Sequence, residues 1–183
     1  MASTEESRIY TDENGFYCID CRLADWSFGR LHNLYEECFS SGTFSDVDWV
    51  IVDDAVAYLV EYKNALVPAC SVSAYNPSAQ NNLRRLVKKC FDSLHFVHCL
   101  QRATQYHYVC VLEYALDDAV TRAGLRDELV RKINCVMSSR IGSTHKFVDA
   151  IEVVNIEEWN AAHTEFPIRQ VPLAASSESA DFS

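Results

Sequence analysis

Residues 45–64, SDVDWVIVDDAVAYLVEYKN, decide the fold. Apolar residues run almost unbroken on either side of Asp53-Asp54, so the segment reads as two short strands joined by an acidic turn. With Asp54-Ala55 as a two-residue hairpin loop, Asp53 faces Val56, Asp48 faces Glu61 and Asp46 faces Lys63. The period of two places Trp49, Ile51, Tyr58, Val60 and Tyr62 on one face, and Val50, Val52 and Leu59 on the other. Both faces are apolar beyond the charged end, as in a sheet covered on both sides. Charges in such a strand are costly unless they are partnered or have a task.

The charged end is the candidate site. Glu61 and Lys63 are two residues apart and share a face, as do Asp46 and Asp48. Directly opposed residues have Cβ atoms roughly 5 Å apart, so opposed carboxylates repel unless a cation or a proton joins them. A register shift of two residues would set Asp46, rather than Asp48, opposite Glu61, and the sequence leaves both open. The plainer reading is a solvated strand face, since Glu-x-Lys is common by chance, with Asp46 a turn residue at the strand entry.

Working outward, residues 1–14 are expected to be a flexible lead-in and residues 16–23 a strand. A helix is expected over about 27–39, with Phe28, Leu31, Leu34, Tyr35 and Cys38 as its apolar stripe. Pro68, Asn76 and Pro77 mark residues 65–79 as a loop. The clearest helix spans 80–102, where Leu83, Leu86, Val87, Cys90, Phe91, Leu94 and Val97 recur at helical spacing. Residues 106–116 read as a strand, followed by a helix capped by Asp117 or Asp118 and running to about 137. A last strand is expected over 146–154. Asn155-Ile156-Glu157-Glu158 matches a capping box for a short helix ending near His163. Residues 171–183 are small, polar and acidic, and are expected to be disordered. Strands alternating with helices predict one α/β domain over 15–170, a mixed central sheet flanked by helices.

Composition narrows the function classes. The chain has 183 residues, 49% of them hydrophobic and 23% charged, which suits one soluble domain with a full core. It has no apolar run of membrane-spanning length and no signal-peptide core near its start, so a cytoplasmic protein without a membrane partner is expected. The eight cysteines are scattered. Cys18 and Cys21 form a C-x-x-C that lacks the second pair of a zinc site; His95, His98 and Cys99 lie close together on a predicted helix, with His95 and His98 on one face, a spacing open to a metal site but far more often that of core or boundary side chains. The net charge of −10 argues against a general nucleic-acid binder, but not against a nuclease whose positive potential is local. Arg84, Arg85, Lys88 and Lys89 hold a quarter of the basic residues on one helix. They read either as a solvated face or as a phosphate contact surface beside the hairpin.

An early helix, an acidic strand, an E-x-K strand and a following helix resemble the PD-(D/E)xK nuclease superfamily, whose core order is αβββαβ. The likeness covers about 27–114, half the chain, and VEYKNA followed by RRLVKKCFDSLHFV is similar to small bacterial members of unassigned role. It implies a restriction-endonuclease-like fold, with Asp48 and Glu61 as carboxylates for Mg²⁺ or Mn²⁺ and Lys63 as the amine that orients water and stabilises developing charge. It further implies a glutamate from the first helix, Glu36 or Glu37, and nucleic acid as substrate, DNA or RNA unresolved, in some members through a homodimer. The chain lacks the Q-x-x-x-Y element of helicase-coupled members and the proline before Asp48. The alternative is a catalytically silent nuclease-like module that binds a protein partner through its acidic surface. No G-x-S-x-G elbow or glycine-rich phosphate loop is present.

Overall fold

The computed structural model describes residues 8–39, 42–66, 76–114, 118–142 and 144–172. The expected hairpin forms its centre. Strands β4 (Trp49–Asp53) and β5 (Val56–Asn64) pair antiparallel with Asp53 opposite Val56 and Trp49 opposite Val60, the register read from the sequence. Asp54 and Ala55 both have positive φ, 45° and 62°, the backbone that a two-residue hairpin turn requires. Main-chain N–H groups of Thr104 and Gln105 both donate to the Ala55 carbonyl and hold the turn.

Three further strands complete a five-stranded mixed sheet in the order β3-β4-β5-β6-β7. Here β3 is Trp26–Gly29, β6 is Gln105–Glu113 and β7 is Ala150–Val154. The β3-β4-β5 side is antiparallel and the β5-β6-β7 side is parallel, so the sheet changes sense at β5. Helix α2 (Gln80–Leu100) crosses from β5 to β6. Helix α3 (Ala119–Val130) continues through a π turn at Arg131–Cys135 into α4 (Val136–Ile141) and crosses from β6 to β7. Leu83, Leu86, Cys90 and Val97 of α2, with Leu125, Leu129 and Ile133 beyond them, bury one sheet face against Val50, Val52, Ala57 and Leu59.

The other face, Trp49, Ile51, Val60 and Tyr62, is covered by α5 (Ile156–Ala162) and a small antiparallel sheet, order β1-β2-β8. Its strands are β1 (Ile9–Thr11), β2 (Tyr17–Asp20) and β8 (Ile168–Gln170). The two apolar faces are those assigned from the sequence. The capping box at Asn155 and Glu158 is present, with both reciprocal hydrogen bonds.

Several expectations are corrected. Ser27 and Phe28 lie in β3, not in a helix, because Trp26 to Gly29 pair with β4; helix α1 begins at Leu31 and ends at Cys38. Residues 9–11, expected in a flexible lead-in, form β1, where Ile9 and Thr11 pair with Asp20 and Cys18. Tyr10 of this strand lies against Gly29, where an added Cβ would come within 2.5 Å of its ring. Strand β7 starts at Ala150, four residues later than expected. The order is β3-α1-β4-β5-α2-β6, so two strands rather than three separate α1 from α2, and the helix follows the first strand of the main sheet instead of preceding it. Most of the expected 65–79 loop and of the acidic tail lies outside the described residues. Among the described residues no helix is long and apolar enough to cross a membrane.

Candidate functional site

The site arises where β4 stops short of β5. Residues 45–47 leave the sheet and run along α2. Ser45 N–H donates to Asp92 Oδ2 at 2.7 Å, and Val47 N–H donates to Ser93 Oγ at 2.9 Å. The Lys88 ammonium is bound to Asp92 and also reaches the Thr43 carbonyl. The pairing of β5 with β4 therefore ends at Val60, opposite Trp49. The Asp48 carboxylate accepts beyond this point: Tyr62 N–H donates to its Oδ2 at 2.7 Å. The gap opens as a small, partly open cleft lined by Asp48, Glu61, Tyr62, Lys63, Asn64, Lys89 and the β1–β2 turn, Asp12 to Asn14. It lies at the carboxyl end of β5, where the sheet changes from antiparallel to parallel pairing.

Glu61 projects from β5 toward α2 and is buried at 6% exposure. Its Oε2 accepts from Lys89 Nζ at 2.8 Å. Burial and the neighbouring Asp48 carboxylate raise the Glu61 carboxyl well above its ordinary range, against the pull of Lys89 and Lys63. Asp48 is raised for the same leading reason, burial, with Lys89 and the Tyr62 N–H opposing. Lys89 is held above the usual lysine range by Glu61, Asp48 and Asp46, which together outweigh its own desolvation. The three groups form one electrostatic unit, two desolvated carboxylates around an ammonium.

The remaining sequence candidates fall into place around this unit. Asp46 faces α1 rather than the cleft: its Oδ2 accepts from His32 N–H at 2.6 Å and so caps a helix whose own N-cap, Arg30, has no side-chain cap. This favours Asp48 over Asp46 at the site. Glu36 is exposed and paired with His32 at 3.2 Å, and Glu37 is exposed; neither lines the cleft. Lys63 lines the cleft as expected. Lys88 is tied to Asp92, whereas Arg84 and Arg85 are exposed. His98 Nδ1 lies 3.4 Å from the Tyr106 hydroxyl, and His95 is exposed. Cys18 and Cys21 are free thiols, and burial pushes the Cys21 thiol up to about 12, so it is not a reactive thiolate.

Sequence reasoning grouped Lys89 with the other three basic residues of α2 and did not single it out as a site residue. The available signal was its place one residue before buried Cys90, at the margin of the apolar stripe, with Glu61 the one acidic residue buried in β5.

Among the described residues no group of three or more histidine, cysteine, aspartate or glutamate side chains is assembled to hold a metal. The donor set is two carboxylates. One oxygen of each is committed, Asp48 Oδ2 to Tyr62 and Glu61 Oε2 to Lys89, which leaves Oδ1 and Oε1 for a cation. Two hard oxygens suit Mg²⁺ or Mn²⁺, which keep most of their water, and do not suit a soft or four-ligand zinc site. No family model matches this chain, and no curated protein or solved structure is significantly similar to it.

Proposed function

We propose that this protein is a divalent-cation-dependent phosphodiesterase acting on nucleic acid, with Asp48 and Glu61 as the cation-holding carboxylates. The observation that carries this reading is the convergence of both carboxylates and two lysines, Lys63 and Lys89, on one cleft at the open end of β5. A bound divalent cation would supply Lewis-acid polarisation of the phosphodiester. Lys63 and Lys89 stabilise the negative charge that grows on phosphate oxygens. Asp48, fixed by the Tyr62 N–H, holds its orientation as substrate enters. Arg84 and Arg85 present positive charge on the same helix as Lys89, a surface for a nucleic-acid backbone. Whether two chains pair to cut two strands is part of this proposal and is read from the oligomeric state during turnover.

A second reading has its own support. Lys89 already compensates Glu61 without any ligand, as in a nuclease-like module that binds a protein partner. Calorimetric titration with Mn²⁺, alone and with dimethyl phosphate, separates the two. The active reading expects saturable binding that Glu61→Gln removes while the circular dichroism spectrum is kept, and Mg²⁺-dependent cleavage of single- or double-stranded DNA or RNA that the same substitution abolishes. Cleavage by Glu61→Gln at the wild-type rate would exclude this site. Absence of Mn²⁺ binding under both conditions would leave the binding-module reading.

A further inference from the structure

The Lys89 ammonium already holds one oxygen of the Glu61 carboxylate, the group that would hold a cation. It lies 2.8 Å from Glu61 Oε2, keeps only 23% of its side chain exposed, and feels Asp48 and Asp46 as well. Lys63, the other lysine of the cleft, acts on Glu61 from the same strand. A divalent ion approaching Asp48 and Glu61 therefore meets two positive charges already in place, one of them bonded to the Glu61 carboxylate itself. Like charges crowded onto one carboxylate repel, and the desolvated surroundings strengthen that repulsion. The conflict is removed when an anion enters, because a phosphodiester offers both lysines a new partner and frees Glu61.

Resting on the metal-dependent reading above, we propose that Lys89 is an internal counterion that keeps the cleft's affinity for divalent cations low until a phosphodiester draws its ammonium off Glu61, so that cation and substrate bind cooperatively. The coupling is reciprocal: the cation must tighten phosphodiester binding by the same factor by which the phosphodiester tightens cation binding. The device suits a hydrolase, since the cation is gathered only when there is a bond to cut. It assigns the two lysines different tasks. Lys63 faces the cleft and meets the phosphate, whereas Lys89 exchanges one anionic partner for another.

The experiment is calorimetric titration of Mn²⁺ into the wild-type chain, Lys89→Met and Lys89→Arg, each with and without saturating dimethyl phosphate. In the wild type, dimethyl phosphate is expected to raise Mn²⁺ affinity at least about fivefold, the lower end of ordinary coupling between sites. Lys89→Met is expected to bind Mn²⁺ about fivefold or more tightly than wild type without phosphate, and to respond little when phosphate is added. Lys89→Arg, which keeps the charge, retains the coupling. Equal wild-type affinity in the two conditions overturns the proposal, as does weaker Mn²⁺ binding by a folded Lys89→Met. If Lys89→Met does not fold, the wild-type comparison decides alone. Binding that Glu61→Gln abolishes but phosphate leaves unchanged refutes the counterion role and spares the metal-dependent reading. Absence of binding by wild type in both conditions refutes both.

Discussion

Glu61 is buried, and an ion pair removed from water is retained only if its partner is well placed. Losing Lys89 leaves Glu61 as an uncompensated buried charge. Lys89→Met is therefore expected to destabilise the fold at pH 7.5 by about 3 kcal/mol, the lower end of the range for breaking a buried pair, because Lys89 keeps part of its stem in solvent. The loss must shrink as pH falls. A carboxyl raised in the folded state binds more protons there than in the unfolded chain, so its protonation favours folding, and removal of the ammonium raises it further. Urea denaturation of wild type and Lys89→Met at pH 7.5 and 4.5 checks this; a pH-independent difference between them would exclude a buried charge as its cause. The sequence disclosed Glu61, Lys63 and Asp48 because strand periodicity alone sets which residues share a face. It could not disclose Lys89 as Glu61's partner, because that pairing depends on how α2 is rotated over β5. Four basic residues within six positions look alike until buried contacts fix the rotation. Asp46 and Asp48 were inseparable for a related reason: only the departure of residues 45–47 toward Asp92 and Ser93 sends one carboxylate to α1 and the other to the cleft.

At the scale of elements, the hairpin was legible because two apolar runs flanked a two-residue turn, yet the turn is not built from the residues that such turns favour. Ala55 adopts φ 62°, which costs a non-glycine residue roughly 1–2 kcal/mol. Ala55→Gly removes that strain at an entropic cost of about 0.5–1 kcal/mol, and Asp-Gly is a preferred pair for this turn. A net gain of about 0.5 kcal/mol is expected in chemical denaturation; a loss would mean that the Ala55 methyl group has a packing role. The opposite error, helix expected where β3 forms, has a simple source. Phe28 and Leu31 sit at the helical spacing that continues through Leu34 and Tyr35, and only the pairing of Phe28 with β4 places it in a strand. Helix α5 is different, since its boundaries are written locally in the capping box. Its far end, His163, stacks on buried Trp159 with ring centroids 4.0 Å apart and meets the Tyr58 ring edge-on. Burial, reinforced by His107, holds the His163 imidazole below its ordinary value. The unfolded chain then takes up this proton first, so the stabilisation is present above about pH 6.5 and is lost as pH falls below it. His163→Phe keeps the stacking and removes the titration. Its melting temperature is expected to fall less than that of wild type between pH 7.5 and 5.5, and an equal fall in both would acquit His163.

At the scale of the whole molecule, the net charge of −10 constrains any encounter with a polyanion. Among the described residues the cleft is lined by two cations, Lys63 and Lys89, the second paired with Glu61 until a phosphodiester enters; Arg84 and Arg85 lie exposed on α2, and Lys88 is tied to Asp92. The β1–β2 turn adds Glu13, which faces the site and raises Asp48. A long backbone track is therefore absent from this face, and contact should be confined to a few phosphates around the scissile bond. Each phosphate neutralised on duplex DNA contributes a slope of about −0.9 to log affinity against log salt, and somewhat less on single strands. Four cations, Lys63, Lys89, Arg84 and Arg85, set a slope no steeper than about −4. Fluorescence anisotropy of a labelled oligonucleotide across a salt series, with Mn²⁺ held constant, measures it. Arg84→Ala with Arg85→Ala is expected to make the slope shallower by about 2 while leaving Mn²⁺ binding unchanged, because neither arginine lines the cleft. A wild-type slope much steeper than four phosphates allow would place the binding surface elsewhere on the molecule. An unchanged slope in the double variant would remove α2 from the contact and confine recognition to the cleft itself.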